Sequence, residues 1–66
     1  MRIKKVWGKK VIIESADGKI FRGKVTDYIY PEDNENDKES IIVDAIGHLY
    51  PYEFYEDDII KIEIIE

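Results

Sequence analysis

Two alternating runs meet at an Asp-Gly pair, and that arrangement limits what this chain can become. In "VIIES", Val11, Ile13 and Ser15 fall on one side of an extended strand, with Ile12 and Glu14 on the other. Asp17-Gly18 follows, a strong turn signal because Gly18 takes positive φ without steric cost. In "KIFRGKVTDY" the alternation resumes, and Phe21, Gly23, Val25 and Asp27 share a face against Ile20, Arg22, Lys24 and Thr26. A period of two cannot form a helical stripe, so the segment is predicted to be a β-hairpin. Gly23 in mid-strand weakens the ladder and marks a bend or the close approach of another backbone. A sheet that curls on itself needs such a point.

The remainder reads as three more strands. "SIIVDAI" is the third, and Ile46-Gly47-His48 reverses the chain into "LYPYEFY", where Pro51 demotes the run to an edge or bent strand. "EDD" makes a one-turn corner before "IIKIEII", the fifth strand, with Ile60, Ile62 and Ile64 facing in and Ile59 and Ile65 facing out. The expected core is Val11, Ile13, Phe21, Val25, Ile41, Val43, Ile60 and Ile62, with Ile12 and Ile42 left outside. Helical spacing occurs only at Ile3, Val6 and Trp7, which permits a short N-terminal helix stopped by Gly8; an extra strand is the alternative. The expected fold is therefore all-β: one domain over residues 1–66, a five-stranded, strongly bent antiparallel small barrel of SH3-like type. An OB-fold would need a longer chain, and five strands in a meander suit this length.

Sixty-six residues lie near the lower limit for a domain with its own core, and the chain has no cysteine to staple it. Such domains often gain stability by oligomerising, so a homo-oligomer is expected. No apolar run approaches a membrane span, and "MRIKKVWGKK" lacks the features of a signal peptide, so a cytoplasmic protein is expected. The net charge of −5 is unevenly placed. Residues 1–30 hold eight Lys/Arg against three Asp/Glu, whereas residues 31–58 hold Lys38 alone against ten acids. Acidic surface repels a polyanion and a local basic surface attracts one.

Catalysis is poorly served by one His, two Ser and no Cys, so no enzyme, cofactor or metal is expected. His48 beside Gly47 reads first as a turn residue. Asp33, Glu35 and Asp37 alternate as calcium ligands do, but Lys38 stands where an EF-hand loop needs glycine and Asp44 where it needs glutamate. The acidic tract is expected to be an exposed, mobile loop. Tyr28, Tyr30, Tyr50, Tyr52 and Tyr55 flank it and the fourth strand, placed either to stack bases or grip a peptide, or to fill and cover a short barrel. Arg22 and Lys24 share a face of the hairpin, a thin strip for phosphate contact.

Val11–Tyr28, "VIIESADGKIFRGKVTDY", resembles the first signature motif of the Sm/LSm family. That motif runs from alternating hydrophobics into Asp/Asn-Gly, then four residues, a Gly, one residue and an aliphatic, here Gly18, Gly23 and Val25. The resemblance implies a non-enzymatic small β-barrel that forms rings through its fourth and fifth strands and binds RNA. It points to Pro51, Tyr55, Ile59 and Ile65 at the subunit contact. The family's Asp-x-hydrophobic-x-Asn element is replaced here by "YIYPEDNENDKES", with Asp33-Asn34 displaced into the loop. Its Ile-Arg/Lys-Gly step is also missing between strands four and five. These departures weaken the expected RNA contact, whose candidate residues are Tyr28, Tyr30, Asp33, Asn34, His48, Arg22 and Lys24. The alternative is a protein-interaction module that uses a sheet edge and the tyrosines, with no role toward nucleic acid.

Overall fold

The computed structural model describes residues 3–65. Five antiparallel strands form one sheet: β1 Lys10–Ser15, β2 Ile20–Ile29, β3 Ser40–Ala45, β4 Tyr52–Tyr55 and β5 Ile59–Ile64. Short 3-10 turns stand at η1 Ile3–Val6, η2 Pro31–Asp33 and η3 Glu56–Asp58. No helix among the described residues is long and apolar enough to cross a membrane. The strand order is β4-β3-β2-β1-β5, so β5 lies beside β1 and not beside β4 as a plain meander would place it. Only η3 connects Tyr55 to Ile59, a link of at most about 14 Å even when extended. Four strand spacings across a flat sheet come to about 19 Å. The sheet must therefore curl until its edges approach, and the near-equal extents of 29 × 25 × 24 Å agree. It stops short of closing, because β4 and β5 share no ladder.

The curl turns on β2. This strand pairs with β1 through Ile20–Lys24 and with β3 through Gly23–Ile29, so it passes from one half of the sheet to the other at Gly23 and Lys24. A Cβ on Gly23 would lie 2.1 Å from the Asp44 carbonyl oxygen and 2.8 Å from Ala45 Cα. No side chain fits there. The glycine read from the sequence as a bend is a point of backbone-to-backbone approach.

Two bulges shift the faces that simple alternation assigns. In β2, Val25 opposes Val43 but Asp27 opposes Ile42, which leaves Thr26 as the extra residue. Alternation resumes one step out of phase: Asp27 is exposed, and Tyr28 packs against the core opposite Ile41. In β5, Lys61 opposes Glu14 and Ile59 opposes Ser15, so Ile60 is the extra residue. Ile59 consequently packs on the core with Ile62, while Ile60 is 64% exposed. Ile64, opposite Val11 near the end of the edge strand, is also 45% exposed. This corrects three expectations, Ile60 and Ile64 as inward-facing and Ile59 as outward-facing. A bulge leaves no trace in a run of isoleucines.

Val11, Ile13, Phe21, Val25, Ile41 and Val43 are buried as expected, joined by Ile3, Val6, Ala45 and Phe54. Ile12 and Ile42, expected outside, are half-buried; Ile12 lies between Arg22 and Glu63, and Ile42 lies opposite Glu53, side chains whose stems cover apolar surface. At the N-terminus a single 3-10 turn replaces the expected helix, and Gly8 at φ 82° ends it. Ile3 and Val6 from this turn are buried in the core cluster, but Trp7 stays 46% exposed.

Glu32, Asp33, Glu35, Asn36 and Asp37 of the acidic loop are exposed as expected, but the loop is tied down at Asn34, Lys38 and Glu39. Asn34 Nδ2 donates to the Lys38 carbonyl at 2.8 Å and to Ser40 Oγ at 3.0 Å. Ser40 Oγ in turn donates to Glu53 Oε2 at 2.8 Å, and this hydroxyl is fully buried beneath the loop. Tyr28 OH donates to Glu39 Oε1 at 2.7 Å, the Glu56 N–H donates to the Glu39 carbonyl at 3.1 Å, and Lys38 pairs with Asp57. The anchors come from β2, β4 and η3, elements distant in sequence.

Two substitutions test this architecture. Gly23→Ala should lower stability by about 1–3 kcal/mol or more, because rigid backbone occupies the methyl's space; an unchanged denaturation midpoint would contradict the close approach. Asn34→Ala removes two hydrogen bonds and uncovers the buried Ser40 hydroxyl, and should cost about 1–3 kcal/mol. Faster amide exchange across residues 34–40 should accompany the loss, and exchange already fast in the parent would show that the loop is not anchored.

Candidate functional site

The residues singled out from the sequence do not converge on one place. They divide among three surfaces. The first is a ring cluster beside the N-terminal turn. Tyr28 and Tyr30 meet edge-to-face with centroids 5.0 Å apart, and Trp7 lies 6.1 Å from Tyr28 on the other side. The bulge at Thr26 supports this grouping, since the Trp7 indole N–H donates to the Thr26 carbonyl at 3.4 Å. Lys4 Nζ donates to Tyr30 OH at 2.8 Å and sits 4.6 Å from that ring's centroid. These two distances place the ammonium toward the hydroxyl end of the ring, so the hydrogen bond outweighs any cation–π contact. Trp7 and Lys4 were not singled out by sequence reasoning; an exposed tryptophan among lysines was the available signal.

The second surface is the outer face of the hairpin. Arg22 and Lys24 share it as expected and line a groove of about 370 Å³ with Lys10, Asp44, Ile46 and Ile65. Cross-strand pairing sets Lys24 between Lys10 and Asp44. Ile46 and Ile65 are 73% and 38% exposed at the groove.

The third surface is the unclosed seam between β4 and the end of β1. Phe21 and Phe54, both buried, meet edge-to-face at 5.0 Å. Tyr52 lies 4.9 Å from Phe21, and His48 lies tilted against Phe21 (5.3 Å) and edge-to-face with Tyr52 (4.9 Å). Over these rings opens a cleft of about 260 Å³ that Asp17, Glu53 and Asp58 also line. Each carboxylate is positioned by the chain itself. Asp17 Oδ1 accepts from Ser15 Oγ and from the Lys19 N–H, Asp58 Oδ2 accepts from the Tyr55 N–H at 3.0 Å, and Glu53 Oε2 accepts from Ser40. The Ser15 hydroxyl, then the Lys19 amide, hold the Asp17 carboxyl below the ordinary aspartate range.

The other candidates take different places. Asp33 is exposed in η2, and Asn34 serves the loop anchor. Pro51 precedes β4, Tyr55 is half-buried at the end of β4, just before η3, and Ile65 continues beyond β5 with its N–H donating to the Lys10 carbonyl. The five tyrosines split: Tyr28 and Tyr30 join the first cluster, Tyr52 the seam, and Tyr50 stands 73% exposed in the β3–β4 loop. Loop and η3 meet through the Lys38–Asp57 and Glu56–Glu39 contacts. Glu32, Asp33, Glu35, Asp37, Glu39, Glu56, Asp57 and Asp58 thus form one acidic rim.

Lys38 is the cation of that rim. Its hydrogen bond to Asp57, then the charge of Asp57, hold its ammonium above the ordinary lysine range. Because the folded pKa is raised, the stabilisation is fully present below the unfolded value of about 10.4 and is lost as pH rises through the folded one. Lys38→Met should therefore melt slightly below the parent at neutral pH and converge with it at strongly alkaline pH. The effect is small because both partners face solvent. A gap independent of pH would assign the loss to something other than this pair.

No protein-family model matches the chain, and no curated protein or solved structure matches it either.

Proposed function

We propose that the chain is a non-enzymatic, Sm-like binding module that works as a homo-oligomer joined through the two free edges of its sheet. The observation that carries the reading is the order β4-β3-β2-β1-β5, which leaves β4 and β5 each hydrogen-bonded on one side only. An unpaired edge is a template for another strand. The edge strand β5 also presents Ile60 and Ile64 to water, 64% and 45% exposed, with Ile65 just beyond. Pairing β4 of one copy with β5 of the next is a head-to-tail contact, which closes into a ring when the rotation allows. Burying each isoleucine is worth about 1.5–3 kcal/mol, a useful addition to a marginal core. The turn glycine Gly18, the bend glycine Gly23 and Val25 stand where the Sm-like motif has them, which supports the same assembly.

The non-enzymatic part of the reading rests on where the nucleophile candidates sit. Ser15 and Ser40 both donate to carboxylates, and His48 is packed against rings. For the ligand, the acidic rim favours protein over nucleic acid, since eight carboxylates repel phosphate. RNA remains as a second reading, favoured by one observation: Lys4, Trp7, Tyr28 and Tyr30 group into a cation-flanked ring platform of the type that stacks bases.

Sedimentation over a range of concentrations tests the assembly. The parent should run as a multiple of the chain mass, and Ile60→Lys and Ile65→Lys should each shift it to monomer with the fold retained. A parent that stays monomeric at the highest concentration overturns the oligomer. For the second reading, an oligouridylate should bind at low salt, lose affinity steeply as salt rises, and lose it again in Trp7→Ala; absence of binding at low salt removes RNA.

A further inference from the structure

The seam cleft is the place where this molecule is shaped for a particular guest. It combines a floor of rings with a rim of fixed negative charge. Phe21 and Phe54 form the buried floor, and Tyr52, 41% exposed, stands as a wall above them. Asp17, Glu53 and Asp58 line the same cleft of about 260 Å³, room for one long side chain. Each carboxylate is held by a hydrogen bond from the chain through one oxygen, and the second oxygen of Asp17 faces the exposed Lys19 ammonium at 3.9 Å. Lys19 stands on an exposed turn, and among the described residues no cation lines the cleft itself.

We propose that the seam cleft is a docking site for an arginine or lysine side chain carried by a basic segment of a partner protein. Such a side chain has an apolar stem for the Phe21 and Tyr52 faces and a cationic head for the carboxylates. Charge complementarity extends beyond the cleft. From Asp58 the surface continues through Asp57 and Glu56 along η3 to the acidic loop, where Lys38 is already paired with Asp57. A basic segment laid along this path meets carboxylates throughout. A phosphate chain is repelled by them, and an uncharged peptide would strip water from the Asp17 and Asp58 carboxylates without replacing it. The inference rests on the protein-binding reading, but not on the oligomer, which sedimentation decides separately.

Amide-resolved NMR titration of the labelled full chain is the test. The probes are an arginine-rich glycine–serine peptide and its citrulline version, which keeps the shape and loses the charge. Shifts are expected at Ala16, Asp17, Phe21, Tyr52 and Phe54, with the citrulline peptide binding at least about tenfold more weakly. Tyr52→Ala, a change at an exposed position, should weaken the arginine peptide at least about fivefold, and the control Glu63→Gln, on β5 outside the cleft and the acidic rim, should leave it within about twofold. Shifts confined to residues 32–37, equal binding of the citrulline peptide, or indifference to Tyr52→Ala would each overturn the site. So would the same cleft shifts produced by an oligouridylate, or by a rise in protein concentration without peptide, which would assign the cleft to RNA or to a second copy.

Discussion

The approach of the Gly23 backbone to Asp44 and Ala45 is the contact on which the rest of this structure depends. Among the described residues there is neither a long helix nor a second sheet to cover the apolar face. A single sheet in that position buries a core only by folding over itself. The bend at Gly23 lets β2 serve both halves, and η1 then delivers Ile3 and Val6 into the same cluster. Val6, Val11, Ile13, Val25, Ile41 and Val43 reach complete burial as a result.

Curling has a second consequence, the redistribution of side chains at two bulges. Thr26 leaves the ladder, and its carbonyl accepts from Trp7, while Tyr28 turns toward the core and reaches Glu39 with its hydroxyl. Ile60 leaves the other ladder and stands in water, while Ile59 turns in. Strongly bent strands take up their extra length in this way. The ring platform and the apolar edge of β5 are both products of the bend, so packing and surface chemistry share one cause.

Charge follows topology as well. The acidic loop and η3 are remote in sequence, yet the Glu56–Glu39 hydrogen bond and the Lys38–Asp57 pair bring them together. Concentrating carboxylates on one rim is unfavourable for folding through mutual repulsion and screened only in part by salt. The Asn34–Ser40–Glu53 chain of hydrogen bonds offsets that repulsion by anchoring the loop where its charge is densest. The basic hairpin face lies on other strands, and the chain presents two surfaces of opposite sign.

Local rules determined much of this protein. Alternation in "VIIES" and "KIFRGKVTDY", the Asp17-Gly18 turn, the bend at Gly23, the edge character beside Pro51 and the corner at "EDD" were all legible, because each depends on residues a few positions apart. Six of the eight expected core residues are fully in the interior for the same reason. What the sequence could not show was anything that requires two distant segments at once. The placement of β5 beside β1, the bulges at Thr26 and Ile60, the anchoring of the loop on Ser40 and the meeting of Asp17, Glu53 and Asp58 over Phe21 and Phe54 belong to that class. A run such as "IIKIEII" satisfies either face equally well, and only the register imposed by Ile13 and Ser15 across the ladder chooses between them. Tertiary structure decided the site because curling a sheet brings together side chains that no local pattern connects.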